Sequence, residues 1–285
     1  MTDSTNDPAL GSVALAALRD ATLELHHAVQ LIASAGQAYV PRRTDDSHRA
    51  MTWSHALGGF RGEPFGPESE LRVGLDVEAL TVRILRGDAP DGEALPLSGR
   101  TMAEARAWLA DAVARAGGPE ARLEPPEFEI PTHPVGQGRA FSGERGAELA
   151  ELAHLYGGAA AILEDVAAGW RGAETVRCWP HHFDIATLLT VRPAEGVEAA
   201  RTIGVGLAPM GGGYETWYWY VTPWPYPDAG ALPELDGPGR WHTEGWVGAV
   251  LEAAQVVAQQ GADAQRSLVR NFLAEAVAAC RAALS

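Results

Sequence analysis

Short apolar stretches with extended character, joined by brief connections, constrain the fold of this chain most strongly. Residues 71–75 and 80–84 each alternate apolar side chains with polar or small ones. The other extended segments lie at 51–53, 94–97, 128–130, 174–179, 183–191, 202–208 and 214–221. Antiparallel strands tolerate tight turns, whereas parallel strands need long crossover connections. The pattern therefore predicts an antiparallel sheet.

Predicted helices separate these strands into groups. Apolar residues three and four positions apart predict an amphipathic helix from near Asp7-Pro8 to around Gly36. Thr101 and Glu104 have the spacing of a capping box at the start of a second helix. Further helices are predicted at 149–170, 244–260 and 263–284. Strands and helices in this order predict an α+β fold, with an antiparallel sheet covered by helices.

The order of elements occurs twice along the chain. A long helix, several strands and another helix come first, and the same order follows the Pro- and Gly-rich connector at 131–138. We interpret this as two pseudo-repeated helix-plus-meander halves, 1–138 and 139–285, packed as one compact unit. A chain of 285 residues hides roughly 75% of its extended surface on folding, so it needs no metal or disulfide for a core.

Charge and composition exclude several classes of function. All 22 basic residues are arginine, against 37 acids, so the net charge is −15 and no lysine is available as a Schiff base or phosphate ligand. This charge opposes nucleic acid and anionic membranes as partners. Two cysteines, no export signal at the start and no apolar segment of spanning length predict a cytoplasmic protein. The expected partner is a small-molecule ligand or substrate, and the oligomeric state stays open.

Histidines cluster beside tryptophans in three short stretches. Five of the nine histidines lie within residues 45–55, 179–184 and 241–244. A strand beginning at Pro180 would place His182 and Asp184 on one face, because alternate side chains of a strand share a side. The hypothesis is that the three stretches meet in one pocket at the end of the sheet.

This pocket could serve a small-molecule enzyme. His182, Asp184 and His242 form the minimum ligand set for a divalent metal ion with open coordination positions. Either His48 or Glu244 would then act as the general base on a bound water in a hydrolytic reaction. The tryptophans expected to line the ligand are Trp53, Trp219 and Trp241. The alternative is that His182 and Asp184 are a hydrogen-bonded polar pair without metal.

An aromatic segment supports a different function. Residues 214–226 contain seven of the 21 aromatic side chains. Thr243, just before the helix predicted at 244–260, can cap that helix. On a strand, Tyr218 and Tyr220 share one face, while Trp217 and Trp219 share the other. One face is expected to pack under helices. The opposite face is either core or a stacking surface for a flat or sugar-like ligand, so a non-catalytic binding protein is the rival, and partner contact through an exposed aromatic patch is a third option.

Two motifs resemble those of an uncharacterised bacterial family, a domain of unknown function. They are Trp-Pro-His-His-Phe-Asp at 179–184 and Tyr-Val-Thr-Pro-Trp-Pro at 220–225. Residues 45–48 and 241–245 are similar to it as well, and the resemblance covers most of the chain. It implies no established reaction, substrate or ligand set.

Overall fold

A computed structural model describes residues 8–90, 92–194 and 199–284. They form two compact units, and the predicted boundary at residue 138 coincides with no boundary of either unit. The N-terminal unit contains Ala17–Gly157 and Arg177–Phe183, and the C-terminal unit contains Met1–Ala16, Gly158–Val176 and Asp184–Ser285. Each has antiparallel strands with helices packed on them, which confirms the predicted α+β class.

The N-terminal unit contains six short strands: β1 (Met51–Ser54), β2 (Gly59–Gly62), β3 (Leu71–Asp76), β4 (Thr81–Arg86), β5 (Ala94–Pro96) and β6 (Arg177–Cys178). Their order is β6-β1-β2-β3-β4-β5. The predicted strand at 128–130 is absent, and its neighbours Pro125, Pro126 and Pro131 have no N–H to donate to a strand ladder. Of the strand predicted at 174–179, only the two residues of β6 are in a strand.

Three helices accompany these strands: α2 (Met102–Arg115), α1 (Leu15–Tyr39) from Ala17 onward, and α3 (Gly146–Ala168) as far as Gly157; the rest of α3 belongs to the C-terminal unit. The capping box of α2 is confirmed, since the Glu104 N–H donates to Thr101 Oγ1 over 3.2 Å and the Thr101 N–H donates to Glu104 Oε2 over 2.8 Å. No helix of the described ranges has the length and hydropathy of a bilayer-spanning segment.

Helix α1 differs from the amphipathic helix that the spacing predicted. Asp7 lies outside the described residues, and α1 begins at Leu15. From Ala21 to Gly36 almost every position is buried, including the polar side chains of Glu24, His26, His27 and Gln30. Buried polar groups are tolerated only when they are hydrogen-bonded. The polar side of α1 is therefore an internal polar layer and not a solvated face.

The C-terminal unit contains five strands and two helices: β7 (Ile185–Arg192), β8 (Arg201–Ala208), β9 (Tyr218–Trp224), β10 (Arg240–His242), β11 (Gly248–Glu252), α4 (Ala253–Val257) and α5 (Ala262–Ala283). The strand order is β7-β8-β9-β11-β10. Helix α5 covers the side of the sheet that carries Leu189, since Leu273 and Val277 line a shallow apolar groove with it. The other side of this sheet carries Tyr218 and Tyr220.

The helix predicted at 244–260 is wrong. Residues 248–252 form β11, which pairs with β9 and β10, and α4 begins only at Ala253. Thr243 therefore caps no helix. A short, continuously apolar run does not distinguish a buried strand from a buried helix. Residues 248–252 form a strand here because their backbone pairs with that of β9.

Candidate functional site

The segment Trp179 to Asp184 forms a turn and not the start of a strand. Phe183 has a left-handed backbone with φ +60°, and its N–H donates to the Trp179 carbonyl over 2.7 Å. Strand β7 begins only at Ile185. The alternation that would place His182 and Asp184 on one face therefore does not apply, and this prediction is wrong.

Contacts inside the N-terminal unit hold the turn in place. The Pro180 carbonyl accepts hydrogen bonds from His26 Nε2 and Gln30 Nε2, each 2.8 Å long. The fully buried Phe183 ring stacks on His26 at 5.1 Å, and the Tyr156 hydroxyl donates to the Phe183 carbonyl over 2.8 Å. These contacts indicate that Pro180 and Phe183 of the turn are structural.

The stability of this region should depend on pH through His26. Burial lowers the pKa of His26 to about 4 from 6.5; the Pro180 hydrogen bond opposes this, while His27, His182 and His181 add to it. The unfolded chain therefore takes up the proton first as the pH falls. The stabilisation is complete above pH 6.5 and is lost as the pH falls towards 4, by about 2 kcal/mol between pH 7 and 4.5.

Urea unfolding from pH 7 to 4.5 measures this effect against a His26→Gln variant, which keeps an N–H donor without titrating. We expect the variant to lose about 2 kcal/mol less than the wild type over that range. His154→Gln, at an exposed position, is the matched control and should follow the wild-type profile. Parallel profiles for wild type and His26→Gln would contradict the assignment.

The other site residues predicted in the N-terminal unit have separate structural surroundings. His48 is buried, and its Nδ1 accepts the Arg43 N–H over 3.3 Å. Trp53 is buried in the core and packs edge-on against Phe60 at 5.1 Å. His182 is exposed, and its ring lies 4.3 Å from that of His181. Trp53 therefore serves the core of this unit.

The site residues predicted in the C-terminal unit also differ in exposure. Trp219 is buried on the side of the sheet that faces α5. The Trp241 indole N–H donates to the Pro233 carbonyl over 2.7 Å. Glu244 is exposed, and its backbone carbonyl lies 2.8 Å from His242 Nε2. Of the predicted site residues, His242 belongs to the cluster described next, and Asp184 is hydrogen-bonded to it through Tyr220.

The donor set of a metal centre is not assembled among the residues that the structure describes. In those ranges no group of three or more His, Cys, Asp and Glu side chains is arranged to hold an ion. Both ring nitrogens of His242 are already engaged, Nδ1 with the Tyr214 hydroxyl at 3.1 Å and Nε2 with the Glu244 carbonyl. Metal-assisted hydrolysis stays an untested prediction.

A cluster of five rings occupies the side of the C-terminal sheet away from α5. Its members, which we call the aromatic cluster, are Tyr214, Tyr218, Tyr220, His242 and Trp246. Tyr214 lies 4.3 Å from Tyr218, and His242 stacks on Trp246 at 4.4 Å. Tyr218 packs with Ala208 and Val250 at its base, while the other four rings are only partly buried. The cluster therefore presents ring surface to solvent.

Strand β8 positions Tyr220 by supplying a glycine opposite it. A Cβ on Gly206 would lie 2.7 Å from the Tyr220 hydroxyl oxygen and 2.8 Å from the Ala186 Cβ. Because Gly206 lacks that atom, the Tyr220 ring crosses β8, and its hydroxyl donates to Asp184 Oδ2 over 2.6 Å. The close pairing of glycine with tyrosine thus brings a carboxylate to the edge of the cluster.

The Tyr218 hydroxyl is the least satisfied polar group of the cluster. Tyr218 is only 6% exposed, and no hydrogen bond of its hydroxyl is found among the described residues. Burial raises its pKa to about 12, and the charges of Asp184 and Tyr214 act in the same direction. A Cβ on Gly212 would lie 2.9 Å from this hydroxyl, so the Gly212 backbone packs closely against it.

Arg240 contacts the cluster and is paired with a carboxylate. Its guanidinium lies 5.4 Å from the centre of the Tyr214 ring, and its Nη2 lies 2.9 Å from Glu252 Oε1. The Asp184 carboxylate lies at the edge of the cluster, where it accepts the Tyr220 hydroxyl.

The sequence analysis found part of this site. The placement of Tyr218 and Tyr220 on one face is confirmed. The sequence analysis also named the aromatic segment 214–226 as a candidate ligand surface. Trp246 was missed because its segment was assigned to a helix. Tyr214 lies in the aromatic segment 214–226, but its contact with His242 was not predicted because the two residues are remote in sequence. No protein family, curated protein or solved structure matches this chain. The resemblance to the uncharacterised bacterial family therefore stays a prediction.

Proposed function

We propose that the protein binds a small organic ligand on the aromatic cluster of its C-terminal unit. A flat or sugar-like molecule would stack on the open ring surface of Trp246 and Tyr220, and the Tyr218 hydroxyl would orient it. The observation that carries the proposal is a tyrosine that is nearly fully buried and has no hydrogen-bond partner for its hydroxyl in the described chain.

Packing alone accounts poorly for this arrangement. The Tyr218 hydroxyl has no hydrogen-bond partner among the described residues and is not one of the enclosed polar atoms, so solvent reaches it and packing alone does not need it. Tyr156 illustrates the ordinary case, since its hydroxyl donates to the Phe183 carbonyl over 2.8 Å. The Tyr218 hydroxyl instead lies beside the exposed Gly212.

This difference predicts opposite outcomes for two Tyr→Phe substitutions. Tyr218→Phe should change the free energy of unfolding by less than about 0.5 kcal/mol, since no protein hydrogen bond is lost. Tyr156→Phe should cost about 1–2 kcal/mol, because it leaves a buried carbonyl without its donor. Urea denaturation of both variants measures the contrast. A Tyr218→Phe loss as large as that of Tyr156→Phe would show that the Tyr218 hydroxyl is a structural group.

Binding is tested with three simple probes: indole, methyl glucoside and choline. Tryptophan fluorescence of the full chain should change in a saturable way with at least one of them. The change should be lost in Trp246→Phe and weakened in Tyr218→Phe. The matched control is Trp224→Phe, because Trp224 lies at the end of β9, is 40% exposed and packs edge-on against Tyr226, outside the aromatic cluster. No saturable response to any probe, or an equal response in Trp246→Phe, would refute the proposal.

A further inference from the structure

Three arginines from three neighbouring strands lie on one face of the N-terminal sheet. The strand register places Gly74 of β3 between Arg61 of β2 and Arg83 of β4, so these two arginines share a face. Arg72 is two positions from Gly74 on β3 and therefore lies on the same face. The other face carries the fully buried Phe60. We call Arg61, Arg72 and Arg83 the arginine cluster.

One turn brings the guanidinium groups of the arginine cluster together. Asp88, in the turn after β4, accepts a hydrogen bond from Arg61 Nη1, and the same carboxylate oxygen lies 4.0 Å from Arg72 Nε. Two residues further on, the Pro90 carbonyl oxygen lies 3.5 Å from Arg83 Nη1. The three cations therefore surround a single short turn.

Asp88 supplies too little negative charge for the arginine cluster. Among the described residues it is the one carboxylate that contacts Arg61 or Arg72, and Arg83 contacts none. The Nε atom of Arg83 is also enclosed by the protein and has no hydrogen-bond partner there. Three positive charges therefore share one carboxylate, in a chain whose net charge is −15.

Arg61 and Arg72 repel each other in this arrangement. Burial lowers the pKa of Arg72, the charge of Arg61 adds to that effect, and the charges of Asp88 and Glu63 act against it. Glu63 is itself paired with Arg43 over 2.9 Å. Like charges on adjacent strands destabilise a sheet. Packing alone therefore does not favour this arrangement, whereas an anion from solution would relieve the repulsion.

An anion can reach the arginine cluster from solution. The Asp88 side chain is 65% exposed, and those of Arg61 and Arg72 are each 24% exposed, so their charges meet at the surface. The buried side chains of Leu57 and Leu85 lie on the same side of β3. These apolar surroundings strengthen electrostatic attraction, because they lower the local dielectric constant. Guanidinium groups bind phosphate oxygens well, since they present N–H donors in a fixed plane.

From this geometry we infer that the arginine cluster binds the phosphate group of a small phosphorylated compound. The Asp88 carboxylate takes the place of one phosphate oxygen beside Arg61 and Arg72, and a bound phosphate would displace it and also reach Arg83. Phosphate suits the cluster better than a carboxylate, because it carries up to two negative charges and three terminal oxygens. A small ligand suits it better than nucleic acid, since the net charge of −15 repels a long polyanion. The inference concerns the N-terminal unit and does not rest on the proposed function.

Isothermal titration calorimetry of the full chain with inorganic pyrophosphate tests this inference, and acetate is the comparison ligand. Pyrophosphate should bind saturably, with one molecule per chain, and about tenfold or more tighter than acetate, because phosphate offers more charge and more oxygens to the guanidinium groups. This comparison uses the wild-type protein, so it does not depend on whether a substituted chain folds.

Asp88→Asn provides the sharpest test, because it should improve binding. The substitution removes the internal competitor, so pyrophosphate should bind several-fold more tightly. Glu78→Gln is the matched control, since it removes the same charge from an exposed position about 20 Å from Arg72, beyond the other end of β3. In about 0.1 M salt a charge at that distance is screened, so the affinity should change less than about twofold.

Arg83→Gln tests the third member of the arginine cluster. It should weaken pyrophosphate binding about tenfold, because one charge-assisted contact with the phosphate is lost. Arg115→Gln is its control, because Arg115 is an exposed arginine of the same unit that pairs with Glu93, and it should leave the affinity unchanged.

Several results would overturn the inference. Pyrophosphate that does not bind saturably, or binds no better than acetate, shows that the arginine cluster is not a phosphate site. An affinity that falls in Asp88→Asn, or stays unchanged in both Asp88→Asn and Arg83→Gln, places the anion elsewhere. A single-stranded DNA octamer that binds more tightly than pyrophosphate would replace the small ligand with nucleic acid. None of these results bears on ligand binding at the aromatic cluster.

Discussion

Phe183→Ala is expected to destabilise the protein by about 3–5 kcal/mol, which is the range for removing a fully buried phenylalanine ring. The ring is 0% exposed and packs against His26, Phe60 and Tyr156, with ring centres 5.1, 5.6 and 4.9 Å away. Its removal leaves a cavity between α1 and the turn. Tyr226→Ala, at a 47% exposed aromatic position, is the control and should cost far less.

Phe183→Gly provides a sharper test of the turn itself. At most positions glycine is less stable than alanine by about 0.5–1 kcal/mol, but a residue with φ +60° favours glycine, which has no Cβ to strain the left-handed backbone. We therefore expect Phe183→Gly to be more stable than Phe183→Ala by about 0.5–1 kcal/mol. Urea unfolding of the pair decides this, and the usual order of alanine above glycine would contradict the left-handed turn.

Arg145→Met is the second substitution with a large expected effect. Arg145 Nε donates to Glu24 Oε2 over 2.7 Å, and the same carboxylate accepts the Ser142 N–H. Glu24 is 2% exposed, so loss of the guanidinium leaves a buried carboxylate without its counter-ion. Breaking such a pair from one side costs about 3–5 kcal/mol. Because Arg145 is itself 23% exposed, the lower end of that range is expected.

A double-mutant cycle shows whether the charge is the cause. Glu24→Gln in the Arg145→Met background removes the isolated carboxylate and should recover a large part of the lost stability. Arg115→Met is the matched control in the same unit, since its partner Glu93 and Arg115 itself are exposed at the surface, and it should leave the unfolding midpoint unchanged. Additive effects of Glu24→Gln and Arg145→Met would mean that the pair does not interact.

The Trp179 to Asp184 motif illustrates the limit of sequence patterns. Histidine, aromatic and carboxylate residues in a row suggested a site at the start of a strand. In the structure these residues form a turn that is held against α1: the Pro180 carbonyl accepts from His26 and Gln30, and the Phe183 ring stacks on His26. The motif therefore contributes one group, Asp184, to the candidate site, by way of Tyr220.

Local signals predicted those elements whose stability is local. The alternation at β3 and β4, the capping box of α2 and the helical period of α5 were confirmed, because each depends on neighbours two to four residues away. Strand β2 was missed because its sequence, Gly-Phe-Arg-Gly, has little intrinsic strand preference and is stabilised by pairing with β1 and β3.

The amino-acid sequence by itself determined the α+β class, the absence of any lysine chemistry, the acidic charge and the two-sided aromatic character of β9. Only the tertiary structure decided that α1 is buried on all sides, that residues 248–252 are a strand and that Trp246 joins Tyr218 and Tyr220 over the C-terminal sheet. The physical reason is that periodicity records which side of an element is apolar, whereas hydrogen-bond partners and ring contacts come from residues remote along the chain. Asp184 and Tyr220, 36 positions apart, meet because Gly206 has no side chain and the Tyr220 ring can cross β8 above it.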